Sequence, residues 1–376
     1  MPSQTLSPLN RLSALGQSVW VDFLSRESIR DGHLQGLLDA DAVVGATSNP
    51  TIFQKAMNAG EAYDEQLREL GEQGLDARET FWRLAERDIK DACDLFRPIW
   101  EGGLGRDGYV SLEVAPDLAY DTLATFNEAM RLHETVDRAN LMVKIPATKP
   151  SLASIEDVIA QGRSINVTLI FSLRRYAEVA ESYLRGLERL IAAGGDPHGV
   201  ASVASFFVSR IDTEADRRLD ALETAPALVR EHLKGRLAVA NAKLAYQHYR
   251  SVFRGPRWEF LASKGATPQR VLWASTSTKN PAYQDTLYVE ELIGPDTVNT
   301  MPEETIRAYQ DHGRPQARLQ AGVTEARKLL DELARVGVDY DDLTDTLERE
   351  GVQKFSDSFE ELIAALGEKQ AALAVA

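Results

Sequence analysis

The sequence predicts an α/β fold, a single (β/α)8 barrel, from three observations. Eight short segments are rich in β-branched or apolar residues, and most are separated by stretches with the apolar spacing of amphipathic helices. Several of the eight are near-continuous apolar runs, as in parallel strands covered by helices. Eight strands alternating with helices is the count of a (β/α)8 barrel. The predicted strands are Val19–Leu24, Ala42–Ala46, Gly108–Val114, Asn140–Ala147, Ser164–Ser172, Val200–Ile211, Arg270–Ser277 and Thr297–Met301.

A doubly wound open sheet is the alternative fold. It would normally carry a Gly-rich phosphate loop after its first strand, and no such loop follows Val19–Leu24. The barrel is therefore the better prediction.

Helical patterns cover most of the remaining chain. The apolar spacing predicts helices over Asp117–Arg138, Arg174–Ala193 and Glu214–Phe253, and the connections 51–107 and 212–269 have room for two or three helices each. The tail 302–376 has a helical pattern throughout. Without a repeat, a low-complexity linker or a break in composition, we expect one domain over residues 1–376. In it, 303–376 is a helical C-terminal extension that packs on the barrel.

Composition and charge limit the function classes. The formal net charge of −15 argues against nucleic acid or an anionic membrane as the main partner. Cys93 is the only cysteine, so intrachain disulfides are excluded, and its helical context predicts a core thiol. No apolar run approaches the roughly 20 residues that span a bilayer, and no signal peptide is apparent. We expect a cytoplasmic protein.

Lys144 lies in the apolar run Leu141–Ala147, which is typical of a buried strand. Burying a charged amine costs several kcal/mol, and the usual relief is a lowered pKa. A neutral amine is a nucleophile that can form a Schiff base with a carbonyl substrate. Alternatively, the lysine keeps its head in water or pairs with a buried carboxylate. This residue alone leaves both interpretations open.

Polar residues at several strand ends favour the functional interpretation. Singly, each has a structural explanation as a helix cap, a turn residue or a partner for backbone groups. Together, six of the eight strands place a carboxylate, amide, hydroxyl or amine within an apolar run, and the carboxyl ends of barrel strands form the active site. The residues concerned are Asp22, Glu113, Lys144, Asn166, Thr168, Ser205 and Ser275, and Asn49 follows the strand predicted over Ala42–Ala46.

The residue types suggest carbonyl chemistry. Lys144 would attack a ketone and lose water to give an iminium ion, an electron sink that allows the adjacent C–C bond to break or form. Asp22 and Glu113 are available as proton shuttles. Thr168 could orient a water with Glu113. The side chains suited to a polyhydroxylated substrate are Asn49, Asn166 and Ser205.

Four stretches of this chain resemble transaldolases, in their order and spacing, over residues 16–301. They are Thr47–Pro50, Leu141–Thr148, Ile165–Ser172 and Ser205–Arg210. The resemblance implies a (β/α)8 barrel of the Schiff-base class I aldolase group. It also implies transfer of a dihydroxyacetone unit from sedoheptulose 7-phosphate to glyceraldehyde 3-phosphate, giving erythrose 4-phosphate and fructose 6-phosphate, in the non-oxidative pentose phosphate pathway.

The resemblance also implies a role for each matching residue. Lys144 is similar to the Schiff-base lysine, Asp22 to the general acid/base of C–C cleavage, and Glu113 with Thr168 to the pair that positions the catalytic water. The residues similar to those that hold the dihydroxyacetone moiety are Asn49, Asn166 and Ser205, and those similar to the phosphate clamp are Arg210 and Ser275.

Three departures from the family pattern indicate a divergent, bacterial-type branch. The arginine that often follows the strand-seven serine is missing, and Lys279 is the candidate replacement, with a point charge instead of a bidentate fork. Lys149-Pro150-Ser151 stands in place of a Trp–acid–Gly sequence, and Asp117 stands where an arginine is frequent.

Three other functions use the same residues. The first is an aldolase that releases dihydroxyacetone to solvent, the second a pyridoxal phosphate enzyme, and the third a non-catalytic sugar-phosphate binder. The six histidines lack a metal-ligand spacing, which disfavours a metal-dependent aldolase. We expect an enzyme that uses neither a cofactor nor a metal. Its partners should be sugar phosphates, and neither nucleic acid nor a membrane. It should be a monomer or a homodimer.

Overall fold

The computed structural model describes residues 6–40, 42–223 and 225–375. Eight parallel strands pair in sequence order and close into a barrel, β1 pairing with both β2 and β8. The predicted (β/α)8 fold is confirmed. The strands are β1 (Gln17–Val21), β2 (Val43–Ala46), β3 (Val110–Glu113), β4 (Leu141–Pro146), β5 (Ile165–Ile170), β6 (Ser202–Phe207), β7 (Arg270–Ala274) and β8 (Thr297–Met301).

Helices surround the barrel. Those before β5 are α1 (Pro8–Ala14), α2 (Arg26–Arg30), α3 (His33–Ala40), α4 (Pro50–Asn58), α5 (Asp64–Glu72), α6 (Ala77–Gly102), α7 (Thr122–Val136) and α8 (Ser151–Ala160). Those after β5 are α9 (Leu173–Ala192), α10 (Ser209–Ala221), α11 (Ala227–Leu233), α12 (Leu237–Val252), α13 (Pro256–Ser263), α14 (Leu287–Glu291), α15 (Glu303–His312), α16 (Val323–Val336) and α17 (Tyr340–Val375). No helix in these ranges is both long and apolar enough to cross a bilayer.

The strands form from the apolar runs because helices cover their outer faces. Every residue of β4 and of β5 is buried, and α8 and α9 pack on each other outside these strands. Register then aligns the polar residues: Glu113 pairs with Lys144, Lys144 with Asn166, and Pro146 with Thr168. Neighbouring strands therefore bring these side chains to one end of the barrel.

Several predicted boundaries are wrong. Strand six was predicted over Val200–Ile211, but β6 ends at Phe207, and Ser209 begins α10. The helix predicted over Asp117–Arg138 is a 3₁₀ turn, Pro116–Leu118, followed by α7, whose N-terminus is capped by Asp121.

The connection from β6 to β7 contains four helices, one more than the two or three predicted. Pro226 and Gly235 divide the helix predicted over Glu214–Phe253, because proline removes a backbone donor and Gly235 adopts φ +66°. The connection from β2 to β3 contains α4, α5 and α6, as predicted.

The C-terminal tail is three helices instead of the continuous helical pattern predicted. A segment containing Pro315 separates α15 from α16, and Gly337, with φ +100°, ends α16. The last helix, α17, packs against α4, α5, α6 and α10 and reaches the end of β5. It therefore crosses the carboxyl end of the barrel, which we call the mouth. The termini of the predicted domain, residues 1 and 376, lie outside the described residues.

Candidate active site

A cavity of about 260 Å³ lies at the mouth, between the strand ends and α17. Eight of the ten site residues predicted from the sequence line it: Asp22, Asn49, Lys144, Thr168, Ser205, Arg210, Ser275 and Lys279. The other two stand behind this lining, where Glu113 contacts Lys144 and Asn166 hydrogen-bonds to Ser205. The structure thus brings all ten residues to one site.

The Lys144 amine is enclosed at the bottom of the cavity. The residue is 4 % exposed, its Nζ donates a hydrogen bond to the Ser48 carbonyl at 3.1 Å, and it lies 3.1 Å from Glu113 Oε2. The structure therefore has the buried lysine–carboxylate pair that was one of the alternatives for this lysine. Such a pair does not exclude Schiff-base chemistry, because one proton moved to the carboxylate leaves a neutral amine.

Two carboxyl groups beside this amine have raised pKa values. Burial raises the pKa of Glu113, and the positive charge of Lys144 partly opposes that shift. Burial likewise raises the pKa of Asp22, opposed by Lys144 and by a 2.7 Å hydrogen bond from Thr47 Oγ1. Carboxyl groups shifted toward neutral pH can both donate and accept protons during a reaction.

Polar side chains around the amine are partly unpaired. Ser205 Oγ donates to Asn166 Oδ1 at 2.7 Å, and Asn166 Nδ2 donates to Ser111 Oγ at 3.1 Å. In contrast, Thr168 Oγ1 is buried without a hydrogen-bond partner among the described residues, and Glu113 Oε2 is contacted there only by the Lys144 amine. Because buried polar atoms normally have partners, these two are suited to bind a ligand or a water.

Asn49 serves a second purpose. It follows β2 and caps α4, because its Oδ1 accepts a hydrogen bond from the backbone N–H of Ile52 at 3.0 Å. The turn interpretation of Asn49-Pro50 and the site interpretation are therefore compatible. The amide oxygen fixes the helix start while the residue lines the cavity.

The backbone is strained at two points beside the cavity. Leu169 and Ser275 adopt left-handed conformations, with φ of +59° and +58°, which cost non-glycine residues about 1 kcal/mol or more each. Leu169 follows Thr168 at an irregularity in the pairing of β5 with β6. Ser275 follows β7, and its Oγ lies 2.9 Å from Ser209 Oγ. Strain of this kind clusters at functional sites.

Basic side chains line one wall of the cavity. Arg210 is the second residue of α10, and its guanidinium lies 5.1 Å from the ring centre of Phe207 and 5.8 Å from that of Phe355. Burial lowers the pKa of Arg210. Lys279 Nζ donates to Ser277 Oγ at 2.7 Å, and partial removal from water lowers the pKa of Lys279. Such a wall is suited to an anionic group.

Comparison with known proteins identifies the family. The sequence model of the transaldolase/fructose-6-phosphate aldolase family matches residues 19–366. The chain belongs to this family. It is 52 % identical over 363 residues to a transaldolase of Parafrankia sp. (strain EAN1pec), covering 96 % of this chain and 98 % of the relative. The resemblance to transaldolases that the sequence motifs predicted is confirmed.

Two further relatives are equally extensive matches. A transaldolase of Acidothermus cellulolyticus is 51 % identical over 360 residues, covering 96 % of both chains. A transaldolase of Mycobacterium bovis (strain BCG / Pasteur 1173P2) is 50 % identical over 357 residues, covering 94 % of this chain and 95 % of the relative. The similarity therefore extends over the tail as well as the barrel.

One departure from the family pattern lies away from the cavity. Asp117 forms an exposed ion pair with Arg78 on α6, at 2.8 Å. Lys279, in contrast, does line the cavity, as its proposed role requires.

Sequence reasoning missed several residues of this family member's cavity: Thr47, Thr51, Ile52, Lys55, Thr300, Glu304, Lys354 and Phe355. Thr47 had a signal, because it begins the Thr47–Pro50 motif, and its Oγ1 lies 2.7 Å from both Asp22 Oδ1 and Thr300 Oγ1. Lys354 and Phe355 had none, since both belong to an ordinary amphipathic pattern in the tail.

Metal ligation has no obvious place in this site. In the ranges that the structure describes, no group of three His, Cys, Asp or Glu side chains is arranged to hold a metal ion. The absence of a metal and of a cofactor stays a prediction from the sequence.

Proposed function

We propose that this family member is a transaldolase, which transfers a dihydroxyacetone unit between sugar phosphates through a Schiff base on Lys144. The reaction converts sedoheptulose 7-phosphate and glyceraldehyde 3-phosphate into erythrose 4-phosphate and fructose 6-phosphate. The observation that carries the proposal is the buried Lys144 amine beside two carboxyl groups with raised pKa, under a cation-lined cavity. The transaldolase names of the relatives support it.

The first half of the reaction forms the iminium ion. The neutral amine of Lys144 adds to the C2 ketone, and proton transfer gives a carbinolamine. Glu113 protonates the C2 hydroxyl, directly or through a water bound by Thr168, and water leaves as the C=N bond forms. The 3.1 Å separation of Lys144 Nζ and Glu113 Oε2 suits this exchange of protons.

The second half breaks and remakes the C–C bond. Asp22 removes the proton from the C4 hydroxyl, the C3–C4 bonding pair moves toward the iminium nitrogen, and the aldose phosphate leaves. The enamine that remains on Lys144 attacks the acceptor aldehyde, and Asp22 returns the proton to the new hydroxyl. Water then hydrolyses the iminium ion with Glu113 as the base.

The remaining residues hold the sugar. Asn49, Asn166 and Ser205 offer an amide, a buried hydrogen-bonded amide and a hydroxyl to the dihydroxyacetone part. Arg210, Ser275 and Lys279 offer two cations and a hydroxyl to the phosphate. Since the phosphate end lies beside α10 and the amine lies on β4, a phosphorylated sugar would extend from one to the other.

An aldolase is the second candidate, because the family description covers both transaldolases and fructose-6-phosphate aldolases. Both functions would use Lys144 and the same iminium ion. They differ in the fate of the enamine. In a transaldolase it adds to an acceptor aldehyde, whereas in an aldolase it takes up a proton and hydrolysis then releases dihydroxyacetone.

Borohydride reduction in the presence of fructose 6-phosphate tests the Schiff base. We expect a single adduct, located by peptide mass mapping on Lys144 and missing from Lys144→Ala. Lys328→Met is the matched control, since Lys328 is exposed on α16 and does not line the cavity. An adduct on another lysine, or full turnover by Lys144→Ala, contradicts the proposal.

The acceptor requirement separates the two candidates. A transaldolase converts fructose 6-phosphate only when erythrose 4-phosphate or another acceptor is present. Steady release of free dihydroxyacetone without an acceptor supports the aldolase instead.

We also propose that the chain acts as one domain in the cytoplasm, without a cofactor, as a monomer or homodimer. The buried single thiol, Cys93, is compatible with a reducing compartment.

A further inference from the structure

One face of α17 turns toward the cavity. Its residues Gly351, Lys354 and Phe355 have the i, i+3, i+4 spacing of a helix face. A Cβ atom on Gly351 would lie 3.2 Å from Leu169 Cδ2 and 3.6 Å from an Arg210 Nη atom, so the α17 backbone approaches the strand end closely. This close approach fixes the position of the two residues that follow on the same face.

Phe355 lies close to two basic side chains of the site. Its ring centre is 5.7 Å from Lys144 Nζ and 5.8 Å from the Arg210 guanidinium carbon. The ring is therefore within about 6 Å of both the reactive amine and the guanidinium predicted to hold the phosphate. Lys354, its neighbour, lines the same cavity.

The cations of the cavity wall lack a direct carboxylate partner, although the carboxyl groups of Asp22 and Glu304 line the same cavity. Four basic side chains line it in addition to Lys144, and none of the four makes an ion pair within the described residues: Lys55, Arg210, Lys279 and Lys354. Elsewhere, basic side chains commonly have carboxylate partners, including Lys369 on the same helix, whose Nζ lies 2.7 Å from Asp64. In a chain of net charge −15, leaving a cluster of cations unpaired calls for a specific reason.

The charge of Lys354 affects the pKa of Lys279, one of the residues predicted to hold the phosphate. Partial removal from water is the main cause of the lowered pKa of Lys279. The negative charge of Glu304 opposes this shift, and the charges of Arg210 and Lys354 add to it. Three cations that repel one another share this end of the cavity. A dianion bound among them would relieve the repulsion.

We propose that Lys354 binds the phosphate group of the sugar substrate together with Arg210 and Lys279, so that α17 completes the phosphate subsite. The inference rests on the proposed function for the identity of the ligand as a sugar phosphate. It explains how this chain manages without the arginine that often follows the strand-seven serine in the family. One bidentate fork and two point charges, supplied from three separate elements, hold the phosphate.

The test compares Lys354→Met, Lys354→Arg and the control Lys328→Met, which removes the same charge from an exposed position on α16. We expect Lys354→Met to raise the KM for fructose 6-phosphate and for erythrose 4-phosphate roughly 10-fold, as loss of a charge-assisted contact does. The kcat stays within about threefold, as uniform binding is lost. Lys354→Arg restores most of the affinity, and Lys328→Met changes neither value.

Two measurements separate phosphate binding from a general structural effect. The inhibition constant of inorganic phosphate should rise in Lys354→Met by the same factor as the KM. The rate at which borohydride traps unphosphorylated dihydroxyacetone on Lys144 should not change. An unchanged KM and inhibition constant in Lys354→Met overturn the inference. An equal loss of dihydroxyacetone trapping also overturns it, because that loss would mean that Lys354 acts through Lys144.

The proposed function can fail separately. If the wild-type protein neither transfers dihydroxyacetone nor forms an adduct on Lys144, the transaldolase proposal is wrong. Calorimetric titration of the wild type and of Lys354→Met with inorganic phosphate still decides the inference. Weaker binding by the variant supports it, and equal binding contradicts it.

Discussion

The two ends of the barrel each bury a cation, and they treat it differently. At the amino end, Arg270 of β7 donates hydrogen bonds to Ser18 Oγ at 2.9 Å, to the Arg106 carbonyl and to Asp107 Oδ1 at 2.9 Å. Asp107 also accepts from Ser18 at 2.8 Å and from Trp20 Nε1 at 3.2 Å. At the mouth, Lys144 has one hydrogen bond, to the Ser48 backbone carbonyl, and one ion-pair partner, Glu113, whose near oxygen has no other partner among the described residues.

This difference separates a structural cation from a chemical one. Arg270 and Lys144 are 7 % and 4 % exposed, so burial alone does not distinguish them. Arg270 lies in a network in which each charge has a partner, and such a network fixes the amino end of the barrel. The mouth keeps unpaired polar atoms, unpaired cations and left-handed backbone, which together leave room for a ligand to complete the interactions.

Replacing Lys144 at the mouth should affect activity far more than stability. We expect Lys144→Met to lower kcat/KM by on the order of 10⁴-fold or more, because no other amine can form the Schiff base. The free energy of unfolding should change by less than about 2 kcal/mol, since Met fills a similar volume and Glu113 can take up a proton. A coupled transfer assay and urea unfolding measure the two effects. An inactive variant that is also largely unfolded would remove the distinction between the two ends.

Asp212 is a buried carboxyl outside the cavity, and its titration makes the stability of the protein depend on pH. Burial raises the pKa of this carboxyl to about 7, against hydrogen bonds from the Ala238 N–H at 2.7 Å and from Tyr288 at 2.9 Å. Between the unfolded value of 3.8 and about 7, the folded state keeps a proton that the unfolded state has lost. The stabilisation from this proton is therefore complete below pH 3.8 and is lost as the pH rises through about 7.

We expect the stability of Asp212→Asn relative to the wild type to increase with pH across this window. The change should be on the order of 3–4 kcal/mol, because one pKa unit corresponds to about 1.4 kcal/mol. Urea unfolding of both proteins at pH 4 to 8 measures it. Comparing the two proteins at each pH cancels the contributions of other carboxyl groups. A constant difference would mean that Asp212 does not titrate as described.

Replacing the cation at the amino end should have the opposite outcome to Lys144→Met. Arg270→Met leaves the Asp107 carboxylate without its cation, which we expect to lower the free energy of unfolding by about 3 kcal/mol. The kcat of the folded protein should stay within about twofold of the wild type. Chemical unfolding and an activity assay at a temperature where the variant is folded test this. A large loss of activity with unchanged stability would mean that the amino end takes part in function.

The exposed Asp117–Arg78 pair should matter least. Both side chains are almost half exposed, and pairs of this kind contribute about 0.2–1 kcal/mol. Asp117→Asn should therefore lower the unfolding free energy by less than about 1 kcal/mol and leave KM and kcat unchanged. An effect on KM for sugar phosphates would show that this departure from the family pattern reaches the cavity.

The barrel could be predicted from the sequence because its signals are local. Runs such as Leu141–Ala147 are apolar throughout, and only a strand covered by helices buries every residue of such a run. The proximity of Glu113 to Lys144 also followed from the predicted fold. Strands that are consecutive in the sequence are adjacent in the barrel, so their polar residues lie side by side. These predictions needed the pattern of each segment and the order of segments.

What could not be predicted depends on contacts between distant segments. Arg210 was assigned to a strand because Val200–Ile211 is largely apolar, and the helix start at Ser209 leaves little mark in composition. The tail residue Phe355 follows the same helical spacing as Leu347 and Phe359, which are also buried but do not line the cavity. Periodicity identifies the apolar face of a helix but not the surface that the face covers.

The course of α17 has a consequence for biosynthesis. A ribosome makes all eight strands before it adds residues 340–375, so the residues that carry the carbonyl chemistry are synthesised before the helix that covers them. The cavity, whose lining includes Lys354 and Phe355, is complete only once this last helix has docked.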